Sequence, residues 1–273
     1  MSINDTLLMN KISTRNNVKI IGKGTQTLLF AHGFGCDQHT WRSILPGFLD
    51  DFKLVLFDYV GAGCSDFSAY DTIRYSSLDG YVQDVIEICG ELELEKVIFI
   101  GHSVSSMIGL HASIQSPHLF SKLIFICPSP RYINDHDYYG GMEQDDLDAL
   151  LEVMDNNHLG WSRPIVTSDT AMEIPVLDQH FTENFCTSDP EISRKFAQVT
   201  FSSDHRKHLP RLSIPSLTLQ GREDILTSEK VARYIQQHTP GNRLHLLDTV
   251  GHFPQLSDPK KVISAIRNFI YSS

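Results

Sequence analysis

The sequence predicts an α/β fold built on a mostly parallel sheet. Short apolar runs rich in β-branched and aromatic residues recur along the chain. Each has strand length and is nearly continuous in apolar character, as expected of strands covered on both faces. Between them lie longer stretches whose apolar residues recur at steps of three and four. Alternation of the two kinds is the signature of strand–helix–strand units. The size agrees: 273 residues, 41% apolar and 21% charged, suit one large globular domain or two ordinary ones.

In chain order, residues 18–21, 27–31 and 54–58 read as the first three strands. The first long helix covers 78–92, with Val82, Val85, Ile86 and Cys89 along one face. Strand 97–101 stops at Gly101 and helix 104–115 follows it, then strand 123–127. After an interruption the alternation resumes with strand 216–220, helix 228–238, strand 244–247 and a last helix at 259–271.

The interruption runs from about 129 to 212. It holds no convincing central strand, but helix-like pieces at 143–156 and 190–201 separated by Gly, Pro, Asp and Asn. Aromatics concentrate there: Tyr132, Tyr138, Tyr139, Trp161, Phe181, Phe185, Phe196 and Phe201. A helical subdomain with its own small core accounts for them, and so does a lid over a pocket; the two readings are compatible. The expected organisation is a core of 1–128 and 213–273 with a helical lid inserted at 129–212.

Charge and cysteine content narrow the function classes. A formal charge of −10 argues against nucleic acid as a partner, since phosphates attract basic surfaces. Five cysteines without a C-x-x-C fit a reducing compartment better than a disulfide framework. The polar first seventeen residues are not read as a signal peptide, and no apolar run reaches membrane-helix length. The expectation is a cytoplasmic protein that does not enter a membrane.

Gly101-His102-Ser103-Val104-Ser105 follows a strand and opens a helix. It nearly matches the G-x-S-x-G nucleophile elbow, in which small residues let strand and helix approach around a strained serine; Ser105 stands where a second glycine is usual. His32-Gly33-Phe34-Gly35 follows strand 27–31. A Gly-rich turn there can aim a backbone N–H at a developing oxyanion, with the N–H of Val104 as the second donor. A serine hydroxyl needs a base. Of 13 histidines, His252 is the candidate, because it lies in the loop after the last strand, where α/β sites converge. His102 adjoins Ser103 and should point away from it, and His32 reads as a turn residue. His205 and His208 are spaced like a metal pair, but no third ligand accompanies them and a surface position is the better reading. Asp224, after strand 216–220, is the orienting acid, with Glu223 the fallback and Asp248 a distant third. The order Ser103, Asp224, His252 is that of the α/β-hydrolase fold. No P-loop, dinucleotide fingerprint or metal cluster appears, so no cofactor is expected.

At this point the chain resembles the RsbQ-like α/β hydrolases of bacterial energy-stress signalling, and is similar to the plant strigolactone and karrikin receptor hydrolases. The resemblance spans nearly the whole chain. It rests on His32-Gly-Phe-Gly-Cys-Asp-Gln38, Leu56-Phe-Asp-Tyr-Val-Gly-Ala-Gly63, Gly101-His-Ser-Val-Ser-Ser-Met-Ile-Gly109, Pro128-Ser-Pro-Arg-Tyr-Ile-Asn-Asp135 with Tyr139-Gly-Gly141, and Gly251-His-Phe-Pro-Gln-Leu-Ser-Asp-Pro259. Ser105 matches the plant receptors, whereas Asp58-Tyr-Val-Gly61 leans toward the bacterial group. The resemblance implies Ser103, His252 and Asp224 as nucleophile, base and acid, and Phe34 and Val104 as oxyanion donors. It also implies a four-helix lid and an apolar pocket lined by Phe34, Tyr132, Trp161, Phe201 and, less specifically, Phe253. The substrates it implies are compact hydrophobic esters or lactones. The partner it implies is a PAS-domain phosphatase in sigma-factor regulation, or another signalling protein.

Overall fold

A computed structural model describes residues 11–156 and 189–272 of the chain. Seven strands form one sheet: β1 (Lys19–Ile21), β2 (Thr27–Ala31), β3 (Lys53–Leu56), β4 (Val97–His102), β5 (Phe120–Ile126), β6 (Ser216–Glu223) and β7 (Asn242–Val250). Their order is β1-β3-β2-β4-β5-β6-β7. Only β1 runs antiparallel to its neighbour, pairing Ile20 with Val55, and the other pairings are parallel. The described helices are α1 (Leu78–Glu91), α2 (Val104–Gln115), α3 (Gln144–Asn156), α4 (Pro190–Phe201), α5 (Glu229–His238), the single turn α6 (Pro254–Ser257) and α7 (Pro259–Tyr271).

The continuous apolar strands follow from burial on both faces. In β2, Leu28 and Phe30 join one apolar cluster while Leu29 and Ala31 join the other, as the two-residue period of a strand requires. Helices α1, α2 and α5 cover one face through Val82, Val85, Met107, Ile108, Val231 and Ile235. Helix α7 covers the other through Val262, Ala265, Ile266 and Phe269, beside Trp41 and Phe48. Caps fix where helices begin: Ser77 accepts from the N–H of Asp79 before α1, and Asp189 accepts from Glu191 and Ile192 before α4, where Pro190 needs no partner for its nitrogen.

The two edge strands differ from the expected two-sided burial. All three residues of β1 are exposed and β7 alternates between covered and open positions, because an edge strand has a neighbour on one side only. Strand β3 ends at Leu56, earlier than expected, because Asp58 leaves the ladder. Its buried carboxylate accepts from the N–H groups of Gln38 and Cys64 and from Asn17 Nδ2. Asp248 lies within β7 and pairs with Arg222 at 2.7 Å on the surface. His205 contradicts its surface reading: it is 7% exposed and packs on His111 of α2, with ring centroids 4.6 Å apart. No helix among the described residues is long and apolar enough to cross a membrane.

Of the inserted segment, α3 and α4 are described. Phe196 and Phe201 of α4 reach down to the sheet's C-terminal edge, where Phe34 meets both rings edge-on at 5.5 and 5.7 Å. Trp161 lies outside the described residues.

Candidate active site

The loops at the C-terminal ends of β2, β4, β6 and β7 converge on Ser103. Ser103 sits between β4 and α2 with φ +56° and ψ −123°, a backbone region that non-glycine residues avoid and that marks functional positions. The turn is possible because the neighbours are small. A Cβ on Gly101 would stand 2.6 Å from the carbonyl oxygen of Ser105, and one on Gly33 would stand 2.6 Å from His102 Nδ1 and 3.2 Å from Ser103 Cβ. The His32–Gly35 turn therefore lies directly against the elbow, and only glycine fits at 33.

Ser105, the departure from the usual glycine, has a use here. Its hydroxyl donates to the carbonyl of His32 and lies 3.0 Å from the Tyr59 hydroxyl. His32 Nδ1 lies 2.9 Å from the carbonyl of Gly33, and its Nε2 accepts from the N–H of Tyr59 at 3.2 Å. Ser105, His32 and Tyr59 thus tie the Phe34 turn to the base of α2. The Val104 N–H belongs to the first turn of α2, where backbone donors have no partner within the helix.

Ser103 Oγ lies 2.9 Å from His252 Nε2, and His252 Nδ1 lies 2.8 Å from Asp224 Oδ2. All three are buried. A carboxylate only accepts, so Nδ1 carries the imidazole proton and Nε2 is left to accept from the serine hydroxyl. Asp224 also receives the N–H groups of Leu226 and Thr227 at 2.9 and 3.1 Å, the Thr227 hydroxyl at 2.8 Å and Gln220 Nε2 at 3.2 Å. Burial pushes its carboxyl up, but His252 and these donors outweigh that and bring it down to about 2. The loops carrying the two residues are linked by the Gly251 N–H, which donates to the carbonyl of Glu223 at 2.8 Å.

Two residues of the site escape a reading of the sequence, and a third, expected only in the lining, makes a contact that the sequence does not show. His102 does point away from Ser103, yet its Nε2 donates to the carbonyl of His252 at 2.8 Å. Burial and the neighbouring His252 ring push it down to about 3, so it holds the His252 loop as a neutral imidazole. Cys127, at φ +49°, lies beside Asp224 and His252, and burial first, then the Asp224 charge, keeps its thiol protonated. Tyr132 places its hydroxyl 3.2 Å from Ser103 Oγ, with its ring 5.0 Å from Phe201. None of these contacts is signalled locally, whereas the Asp224–Thr227 bond is, since Asp side chains commonly bond backbone a few residues on.

Of the expected lining residues, Phe34, Tyr132 and Phe201 form one aromatic cluster over the serine. Phe253 flanks the histidines, with its ring 4.9 Å from His102 and 5.6 Å from His252. Glu223 is exposed at the end of β6.

This fold with a buried serine, histidine and aspartate at the strand ends defines an α/β hydrolase, and residues 28–265 match the family model described as "Alpha/beta hydrolase family". The chain belongs to that family. Within it, the chain is related to plant esterases and receptors of the strigolactone and karrikin kind. It is 41% identical to "Karrikin insensitive 2 receptor CA" of Petunia hybrida over 96% of this chain and 98% of the relative. It is 37% identical to a strigolactone esterase of Arabidopsis thaliana over 92% and 94%. A solved hydrolase from Oleispira antarctica superposes with a TM-score of 0.93 at 40% identity, covering 97% of this chain and 98% of that one.

Proposed function

We propose that this hydrolase cleaves small hydrophobic esters or lactones through an acyl-enzyme on Ser103. The observation that carries the reading is the unbroken hydrogen-bond path from Ser103 Oγ through His252 to Asp224. Ser103 Oγ attacks the carbonyl carbon as its proton passes to His252 Nε2. The N–H groups of Phe34 and Val104 hold the tetrahedral oxyanion. Collapse expels the alkoxide, which takes the proton from His252; in a lactone it stays tethered to the acyl group. His252 then activates a water, which releases the acid and restores the serine. Asp224 keeps His252 in the required tautomer and stabilises its cation. Phe34, Tyr132 and Phe201 supply an apolar lining suited to compact substrates, with segment 129–212 as lid. A fluorophosphonate probe is expected to label the wild-type chain and not Ser103→Ala. Labelling that survives the substitution would sink the assignment of Ser103.

A second reading is supported by the word "receptor" in the name of the 41% identical relative. In it the pocket senses a ligand and acts through a protein partner, with slow hydrolysis. By the resemblance to RsbQ-like proteins, that partner is a PAS-domain phosphatase in stress signalling. A ligand that raises the melting temperature and creates affinity for such a partner supports sensing. Fast multiple turnover, with ligand-loaded protein failing to bind the partner, rejects it.

A further inference from the structure

Away from the serine, three histidines meet where the inserted segment returns to the core. His205 and His208 flank and enter the 3-10 turn Arg206–Arg211. In such a turn residues three apart stack on one side, and the His208 N–H donates to the His205 carbonyl at 2.9 Å. The third comes from α2, in a different part of the chain: His111 Nε2 lies 2.9 Å from His205 Nδ1, and the His111 and His208 ring centroids are 4.2 Å apart. One nitrogen from each of the three lies within 4.8 Å of the other two.

We propose that His111, His205 and His208 form a binding site for a zinc-type divalent transition-metal ion, separate from the hydrolytic centre. Imidazole nitrogens are the preferred donors of such ions, and three of them with an open position for water make a complete set. Nitrogens on a tetrahedral zinc at 2.0–2.1 Å stand roughly 3.3 Å apart, so small side-chain rotations close the observed spacing. Two features support the reading. His205 Nε2 and His208 Nδ1 are buried without hydrogen-bond partners among the described residues, and a bound ion is one kind of partner that such atoms accept. His205 also lines a groove of about 420 Å³ between Ser76, Ser77 and Leu78 on one side and Lys195, Gln198 and Ser203 on the other, so the cluster lies beside open space. The surrounding charge is mixed: Asp79 and Asp204 favour a cation, and Lys207 and Arg211 oppose it. Burial first, and the neighbouring imidazoles after it, push His205 and His111 down to about 3 and about 4, so both are neutral, as ligands must be. A bound ion would clasp the root of the inserted segment to the helix that begins after Ser103.

The test is Co²⁺ and Zn²⁺ titration of the full-length, tag-free chain after chelator treatment, read by visible cobalt absorption and calorimetry. The expected result is one ion per chain. His208→Gln and His111→Gln, each checked for folding by circular dichroism, should weaken binding at least about tenfold, since even an outer partner of a metal ligand is worth that much. Ser103→Ala should bind as the wild type does. Zinc-edge anomalous diffraction from crystals of the unsubstituted chain should place the ion at these three rings. Absence of binding at millimolar metal, equal binding by a folded histidine variant, or anomalous density only elsewhere overturns the proposal.

Discussion

Asp224 holds its charge because five hydrogen bonds converge on a carboxylate shut away from water. Replacing it by Asn removes the charge but keeps the shape, and lets the amide donate to His252 Nδ1, which reverses the tautomer. Asp224→Asn is therefore expected to lower kcat on the order of 10⁴, as in the serine-protease template, and to lower the melting temperature as well, because the amide sets a donor against Gln220 Nε2. Steady-state kinetics on a chromogenic ester would check it; a fall of less than tenfold would mean that Asp224 does not orient the base. Tyr132 offers a milder test. Tyr132→Phe removes the hydroxyl 3.2 Å from Ser103 Oγ and keeps the ring against Phe201. Labelling by the fluorophosphonate probe should persist, at a rate within about tenfold of wild type, because one neutral hydrogen bond is worth about 1 kcal/mol. The positions of the candidate site were unevenly legible. Ser103, Asp224 and His252 stand out in the sequence because each follows a recognisable strand. His102 and Cys127 do not, since their work is done on residues distant in the chain.

At the scale of elements, the site is held by loops pinned to one another. Asp58 is the clearest case. By leaving β3 early it can bind the Gln38 N–H after the Phe34 turn, the Cys64 N–H in the next loop and the Asn17 amide. Asp58→Ala strands buried donors, each costing about 1–3 kcal/mol. A loss of roughly 3 kcal/mol or more is expected in urea denaturation, and a change below 1 kcal/mol would show that water replaces the carboxylate. Strand ends were poorly legible for the same reason: apolar continuity marks where a strand is covered, not where a polar residue turns out of the ladder. The edge strands β1 and β7 show the same limit, because their position in the sheet is a property of topology.

At the scale of the whole molecule, buried imidazoles set the response to acid. His102, His205 and His111 are pushed from an ordinary value of 6.5 down to about 3, 3 and 4, by burial first and neighbouring imidazoles second. The unfolded chain therefore binds more protons than the folded one below pH 6.5, and stability rises with pH across that window. Their contribution is complete above pH 6.5 and is lost as pH falls toward 4 and below. Asp224, held near 2 against an ordinary 3.8, adds the same sign only below about pH 4. Denaturation between pH 4 and 7 should show stability falling on acidification, with less dependence in His205→Asn. A flat profile would mean that these rings stay hydrated.

The alternation of strands and helices and the order of Ser103, Asp224 and His252 were determined by the sequence alone. Apolar continuity, helical period and turn residues are local properties that a linear pattern records. Only the tertiary structure decided that His252 reaches Ser103 across 149 residues and Asp224 across 28. It alone brought His111 within bonding distance of His205, 94 residues away. Such meetings depend on parallel register and helix packing, which sum many weak contacts distributed along the chain.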